Sequence, residues 1–208
     1  MIKNFKCLLL ASLSISIVAC SDDDSGSSTE APISSGSADF SKYVALGDSF
    51  AAGYSDNALF TSGQENSYPN ILAQQFATVG GGAFNVPFMN DNVGGLLFGG
   101  NVNPAFGKRV HLAGFLNATT PIIIPVAGTS TTEVFNHLQG DFNNFGVPGA
   151  KSFHLLAPGY GNPAGLLSSP ATANPYFVRF ASAPATSSII SHALAQNPTF
   201  FSLWIAGN

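Results

Sequence analysis

Residues 43–50 read Tyr43-Val44-Ala45-Leu46-Gly47-Asp48-Ser49-Phe50. An apolar run of this length, closed by a turn signal, predicts a short strand from Lys42 to Leu46. The turn after it would carry the Ser49 hydroxyl to the carboxyl edge of a sheet, where open α/β proteins place their ligands. Few other residues compete for chemistry. The 208 residues hold only four His and two Cys, and no group has metal-ligand spacing. No cofactor or metal is expected.

Working outward from this stretch, the pattern alternates between the two periods. Ser67 reads as an N-cap and Pro69 suits a first helical turn. Leu72, Phe76 and Val79 then share one face, and Gly80-Gly81-Gly82 stops the helix. Residues 83–132 are irregular and rich in Gly-Gly pairs, Asn and Pro. Within them Lys108 to Phe115 and Ile122 to Val126 are strand-like and predict an inserted hairpin. Phe142 to Val147 predicts a second strand, ending at Pro148-Gly149. Tyr160 to Pro184 is a second loop-rich insertion. Ser187 to Gln196 predicts a short helix with Ile189, Ile190, Ala193 and Leu194 inward, broken by Pro198. Phe200 to Ala206 is apolar except for Ser202, the pattern of a strand buried on both faces. Strand, helix, strand, helix, strand is the order of a parallel sheet with helical crossovers. The three strands end in Gly47-Asp48-Ser49, Pro148-Gly149 and Gly207-Asn208. In a parallel sheet those ends share one edge, so three separate signals should meet at one site.

These residues resemble the N-terminal part of a GDSL or SGNH serine hydrolase. Ser49 in Gly47-Asp48-Ser49-Phe50 is similar to the nucleophile block, with Phe50 in place of the commoner leucine. Gly149, five residues after Asn144, is similar to the second block. Asn208 in Gly207-Asn208 is similar to the third, and Ser67-Tyr68-Pro69 opening a helix also resembles the family. The resemblance spans about Tyr43 to Asn208. It implies an α/β fold, a three-layer α/β/α sandwich with a parallel sheet of flavodoxin-like type, incomplete at its C-terminus. It also implies an esterase or lipase-like acyl hydrolase with Ser49 as nucleophile and Gly149 and Asn208 as oxyanion donors. The residue types suit that chemistry, since donors placed where charge develops on an attacked carbonyl contribute about 3–4 kcal/mol each. Asp48 and Asn144 read as turn-shaping residues. Phe50, Phe88 and Phe98 are open to two readings, core or acyl pocket.

A serine nucleophile needs a histidine base held by an acid. The family's Asp-x-x-His occurs nowhere in this sequence. His111, His137, His154 and His192 read as surface or structural residues. The expectation is a fragment whose parent carries the Asp/His block, with a pseudoenzyme as the alternative.

The N-terminal residues imply an address. Lys3 and Lys6 precede an apolar segment, Cys7 to Val18, too short to span a bilayer. Ile17-Val18-Ala19-Cys20 resembles a bacterial lipobox, implying a signal peptide over 1–19 and acylation of Cys20. The alternative is an ordinary secretory signal. Residues 20–41 begin with Ser21-Asp22-Asp23-Asp24 and continue rich in Ser and Gly, a lipid-attached flexible tether by composition. The acidic run resembles some surface-export signals, and equally a solvated linker. The implied location is the cell envelope, lipid-anchored, in the outer membrane or on the surface. Asp22, Asp23, Asp24 and Glu30 account for much of the net charge of -4. The body at 42–208 is therefore near neutral, shows no basic patch and makes no case for nucleic acid. The expected partners are an ester substrate, either a lipid or an acylated carbohydrate, and the membrane through the anchor. The competing function is a non-catalytic surface-binding or adhesion lipoprotein on the same scaffold.

Overall fold

The computed structural model describes residues 33–208. The signal segment, the Cys20 attachment and much of the linker lie outside the described residues.

The first element is β1, Tyr43–Gly47. It is flanked by β6, Asn144–Gly146, and β7, Phe200–Trp204, both parallel to it. In register, Leu46 stands between Phe145 and Leu203. The chain is therefore mixed α/β around a small parallel sheet of three strands. Between β1 and β6 run α1 (Ser49–Ala52), α2 (Thr61–Glu65) and α3 (Tyr68–Ala77), then two short strands, β2 (Leu97–Phe98) and β3 (Asn101–Val102). They are followed by a hairpin of β4 (Val110–Asn117) and β5 (Thr120–Pro125). Between β6 and β7 lie α4 (Pro175–Val178) and α5 (Ile189–Leu194).

Strand alternation divides the core. Tyr43 and Ala45 pack with Ala73 of α3, with Leu72, Phe76, Phe84 and Phe200 around them. Val44 points the other way, into a cluster with Phe145, Val147, Phe177, Ile189 and Ala193. A third cluster, including Ala52, Leu59, Met89, Leu96, Val134 and Val178, sits under the 83–132 insertion. So this insertion packs through Met89, Leu96, Phe98 and Phe106 on a core shared with α1 and α4. It encloses a buried Arg179, whose Nη2 donates to the Phe88 carbonyl at 2.6 Å. Burial lowers that guanidinium to about 10, so it stays charged at neutral pH.

Several local readings are corrected. The second strand is shorter than Phe142 to Val147, because Asn143 turns its side chain to the Tyr43 carbonyl instead of extending the ladder. Ser67 precedes α3, but its hydroxyl is buried without a partner and caps nothing. α5 is capped by Ser188, whose hydroxyl accepts from Ser191 N–H while Ser191 returns a bond to Ser188 N–H. Leu194 faces outward. The largest correction is β7. Its apolar run predicts burial on both faces, yet it is an edge strand with Phe201 60% and Trp204 54% exposed. Hydrophobicity reports what a strand can bury, not what stands beside it.

Candidate functional site

The three strand ends do meet. Ser49, Pro148, Gly149 and Asn208 line one cleft of about 290 Å³, together with Tyr54, Ala105, Phe106 and Tyr176.

Ser49 is the first residue of α1. At that position a backbone N–H has no partner inside the helix. Asp48 builds the turn. Its buried carboxylate accepts from Phe50 N–H at 3.0 Å and from Gly207 N–H at 3.1 Å. The backbone N–H of Asp48 donates to the Trp204 carbonyl. One side chain thus ties the serine turn to the end of β7, consistent with a turn-shaping role. Asn144 does the same toward β6. Its Nδ2 donates to the Ala51 carbonyl at 3.0 Å, and its Oδ1 accepts from Gly146 N–H at 2.8 Å. A Cβ on Gly146 would meet the Ala52 nitrogen at 2.3 Å, so glycine is what lets α1 lie against β6.

Gly149 follows β6 on an exposed turn with φ +79°, a conformation that glycine adopts without strain. Asn208 is held by its own Nδ2, which donates to the Ala150 carbonyl at 3.1 Å. The turn after β6 and the residues after β7 are therefore physically joined. Asn174 braces this corner. Its Nδ2 donates to the Pro148 carbonyl at 2.8 Å, and its Oδ1 accepts from Tyr176 N–H at 2.9 Å, capping α4.

The cleft wall is aromatic and carries no ionisable acid or base apart from phenols. Phe106 meets Tyr176 edge to face at 5.9 Å. The Tyr54 hydroxyl donates to the Asn57 carbonyl at 2.7 Å. Burial raises the Tyr176 hydroxyl well above the ordinary phenol range, so it remains protonated. None of Phe50, Phe88 or Phe98 lines this cleft. Phe50 faces a neighbouring groove, stacked on Tyr68 and tilted against Trp204, while Phe98 lies behind Phe106. Sequence reading missed Tyr54, Phe106, Tyr176 and Asn174. Only Asn174 left a signal, as an Asn before Pro175 at a helix start.

No histidine lines the cleft among the described residues. His111 is on β4. His137 makes contacts through both ring nitrogens, with the Ala181 carbonyl and the Gln139 amide. His154 accepts from Lys151 N–H and stacks on Tyr160. His192 is buried in α5 against Phe145, with Nδ1 unpartnered. Burial lowers both His154 and His192, the first-named also by Lys151. Among the described residues no three of His, Cys, Asp and Glu gather as a metal set. No protein-family model, curated protein or solved structure matches the chain.

Proposed function

We propose that the chain belongs to a serine ester hydrolase of the GDSL or SGNH type, an esterase or lipase-like acyl hydrolase of the cell envelope held by a lipid on Cys20. The proposal includes the three-layer α/β/α arrangement, with α3 and α5 as the layers around the parallel sheet. What supports the reading above all is convergence: Ser49, Gly149 and Asn208 come from the ends of three parallel strands and line one cleft.

Ser49 Oγ attacks the ester carbonyl and loses its proton to a general base. The tetrahedral oxyanion is met by the N–H groups of Ser49 and Gly149 and by the Asn208 amide. Collapse expels the alcohol, which takes the proton, and water then clears the acyl-enzyme. An aromatic cleft without charged groups suits a neutral ester, of a lipid or an acylated sugar. The general base is assigned to residues of the parent protein other than these 208. The 208 residues alone are expected to turn over little or nothing, since loss of a triad base costs several orders of magnitude.

A fluorophosphonate probe applied to the parent protein tests this. Ser49 should be labelled, and Ser49→Ala should abolish labelling. Labelling that survives Ser49→Ala would refute the assignment. The second reading, a binding or adhesion lipoprotein on the same scaffold, is favoured by the absence of histidine from the cleft lining. It predicts a parent that does not label at all.

A further inference from the structure

The β4–β5 hairpin is an arm with bare apolar side chains on both faces. Every residue from Phe115 to Pro125 is exposed. Leu116 is 75% exposed, and the consecutive Ile122, Ile123 and Ile124 are 40%, 52% and 41% exposed. Consecutive residues of a strand point to opposite faces, so neither face is packed. Two-stranded ribbons of this kind are marginal in water alone. The foot, by contrast, is fixed. Arg109 Nε donates to the Asn92 carbonyl at 2.6 Å, its guanidinium pairs with Asp56 at 3.7 Å and lies over Phe60, and Lys108 Nζ donates to the Gly128 carbonyl.

Charge decides what the arm meets. No Asp, Glu, Lys or Arg occurs from Val110 to Thr132. Lys108 and Arg109 stand at the foot with two acids, Asp56 and Asp91, the latter accepting from Val93 N–H and Thr131 N–H, so the foot carries no net charge. An arm without charge, bare on both faces, suits the uncharged acyl layer of a bilayer. A protein surface, including that of a second copy, would cover one face of a ribbon and leave the other bare. Immersion in an apolar phase covers both.

We propose that the β4–β5 hairpin enters the headgroup–acyl boundary of a bilayer tip first, as a contact separate from any acyl anchor at Cys20. Depth is limited by the backbone. A two-stranded ribbon has unpaired N–H and C=O groups on its outer edges, which cannot be left in hydrocarbon. An entry of about 10 Å, the reach of interfacial segments, takes in the tip from Phe115 to Ile123 and holds its edges at the level of the hydrated headgroups. Asn117 Oδ1 already satisfies Thr119 and Thr120 N–H at the tip.

The test uses the full chain carrying Cys20→Ser, which removes acylation and separates this contact from the anchor. It should float with vesicles of phosphatidylethanolamine and phosphatidylglycerol. Adding Leu116→Asn and Ile123→Asn, at exposed hairpin positions outside the three buried clusters, should lower the partition coefficient at least about tenfold. Leu167→Asn, at a leucine 85% exposed elsewhere, should not. The proposal is overturned if the Cys20→Ser chain stays with the soluble fraction, or if the hairpin variant floats equally well. It is also overturned if the chain is a dimer that those two substitutions dissolve without any vesicle binding, which would make a second copy the occupant.

Discussion

β6 and β7 are neighbours of the same strand and both parallel to it, yet they live in different surroundings. Every residue of β6 is buried. On β7 only Phe200 and Ser202 are even half-buried. The β6 side carries the interlock of Asn144, Gly146 and α1, and the core of Phe177, Ile189 and His192. The β7 side is held by its ladder, by Phe200 against Phe40 and Phe76, by Asp48 at one end and by one hydroxyl pair. The difference teaches that a strand's contribution follows what covers it. The first prediction tests this at one register level. Phe145→Ala should cost about 3–5 kcal/mol, because Phe145 is fully buried. Leu203→Ala, across β1 from it, should cost under about 1 kcal/mol. Urea unfolding with a constant m-value measures both. Equal losses would break the comparison.

Asn144→Ala sharpens the same contrast at the site. It strands the Ala51 carbonyl and the Gly146 N–H in a buried setting, with an expected loss of about 2–3 kcal/mol. Because those bonds position α1, the parent's Ser49 should also label more slowly with a fluorophosphonate. A stability loss with unchanged labelling would reduce Asn144 to a structural role.

Acid should act on the β6 side. His192 packs edge to face on Phe145, and burial holds its imidazole below the ordinary value of 6.5 when folded. His137 lowers it further and Asp141 opposes. The unfolded chain therefore takes up a proton first. Stability is full above pH 6.5 and falls as pH drops below it. His154 adds in the same direction. His192→Phe should flatten part of that fall in denaturant titrations across the window, and an unchanged slope would exclude His192 as its source.

The sheet was legible because its signals are local: four apolar residues before Gly47-Asp48-Ser49, Pro148-Gly149 after Phe145, and Gly207-Asn208 after an apolar run. Topology then brought the ends together, as parallel strands require. The aromatic wall of the cleft was not legible. Phe106 and Tyr54 reach it through turns whose course depends on Leu96, Leu59 and Val134 packing beneath them, and no periodicity encodes such a path. The exposure of β7 was hidden for a different reason: β6 and β7 both end the sheet, and what packs on a strand's faces, not its own hydrophobicity, decides whether it is buried. Arg179, a charge buried beside Met89 and Tyr176, left no signal in the sequence either.

The smallest expected effect concerns the one side-chain hydrogen bond between β1 and β7. Tyr43 Oη and Ser202 Oγ lie 2.6 Å apart. Burial pushes the Tyr43 hydroxyl up to about 12, with the Ser202 bond pulling the other way, so the phenol is protonated at any working pH. Tyr43→Phe removes the hydroxyl and leaves Ser202, half-buried on the edge, free to turn to water. The expected loss is about 0.5–1 kcal/mol. Ser202→Ala leaves the hydroxyl of a buried tyrosine unpaired and should cost more, about 1–2 kcal/mol. The order of the two, read from paired unfolding curves, separates the bond from the burial beneath it. If Tyr43→Phe is the more damaging, the edge depends on the hydrogen bond more than on the packing of the ring against Phe76 and Phe84. The weakness assigned to the β7 side would then lie in its exposed side chains alone, and not in its attachment to β1.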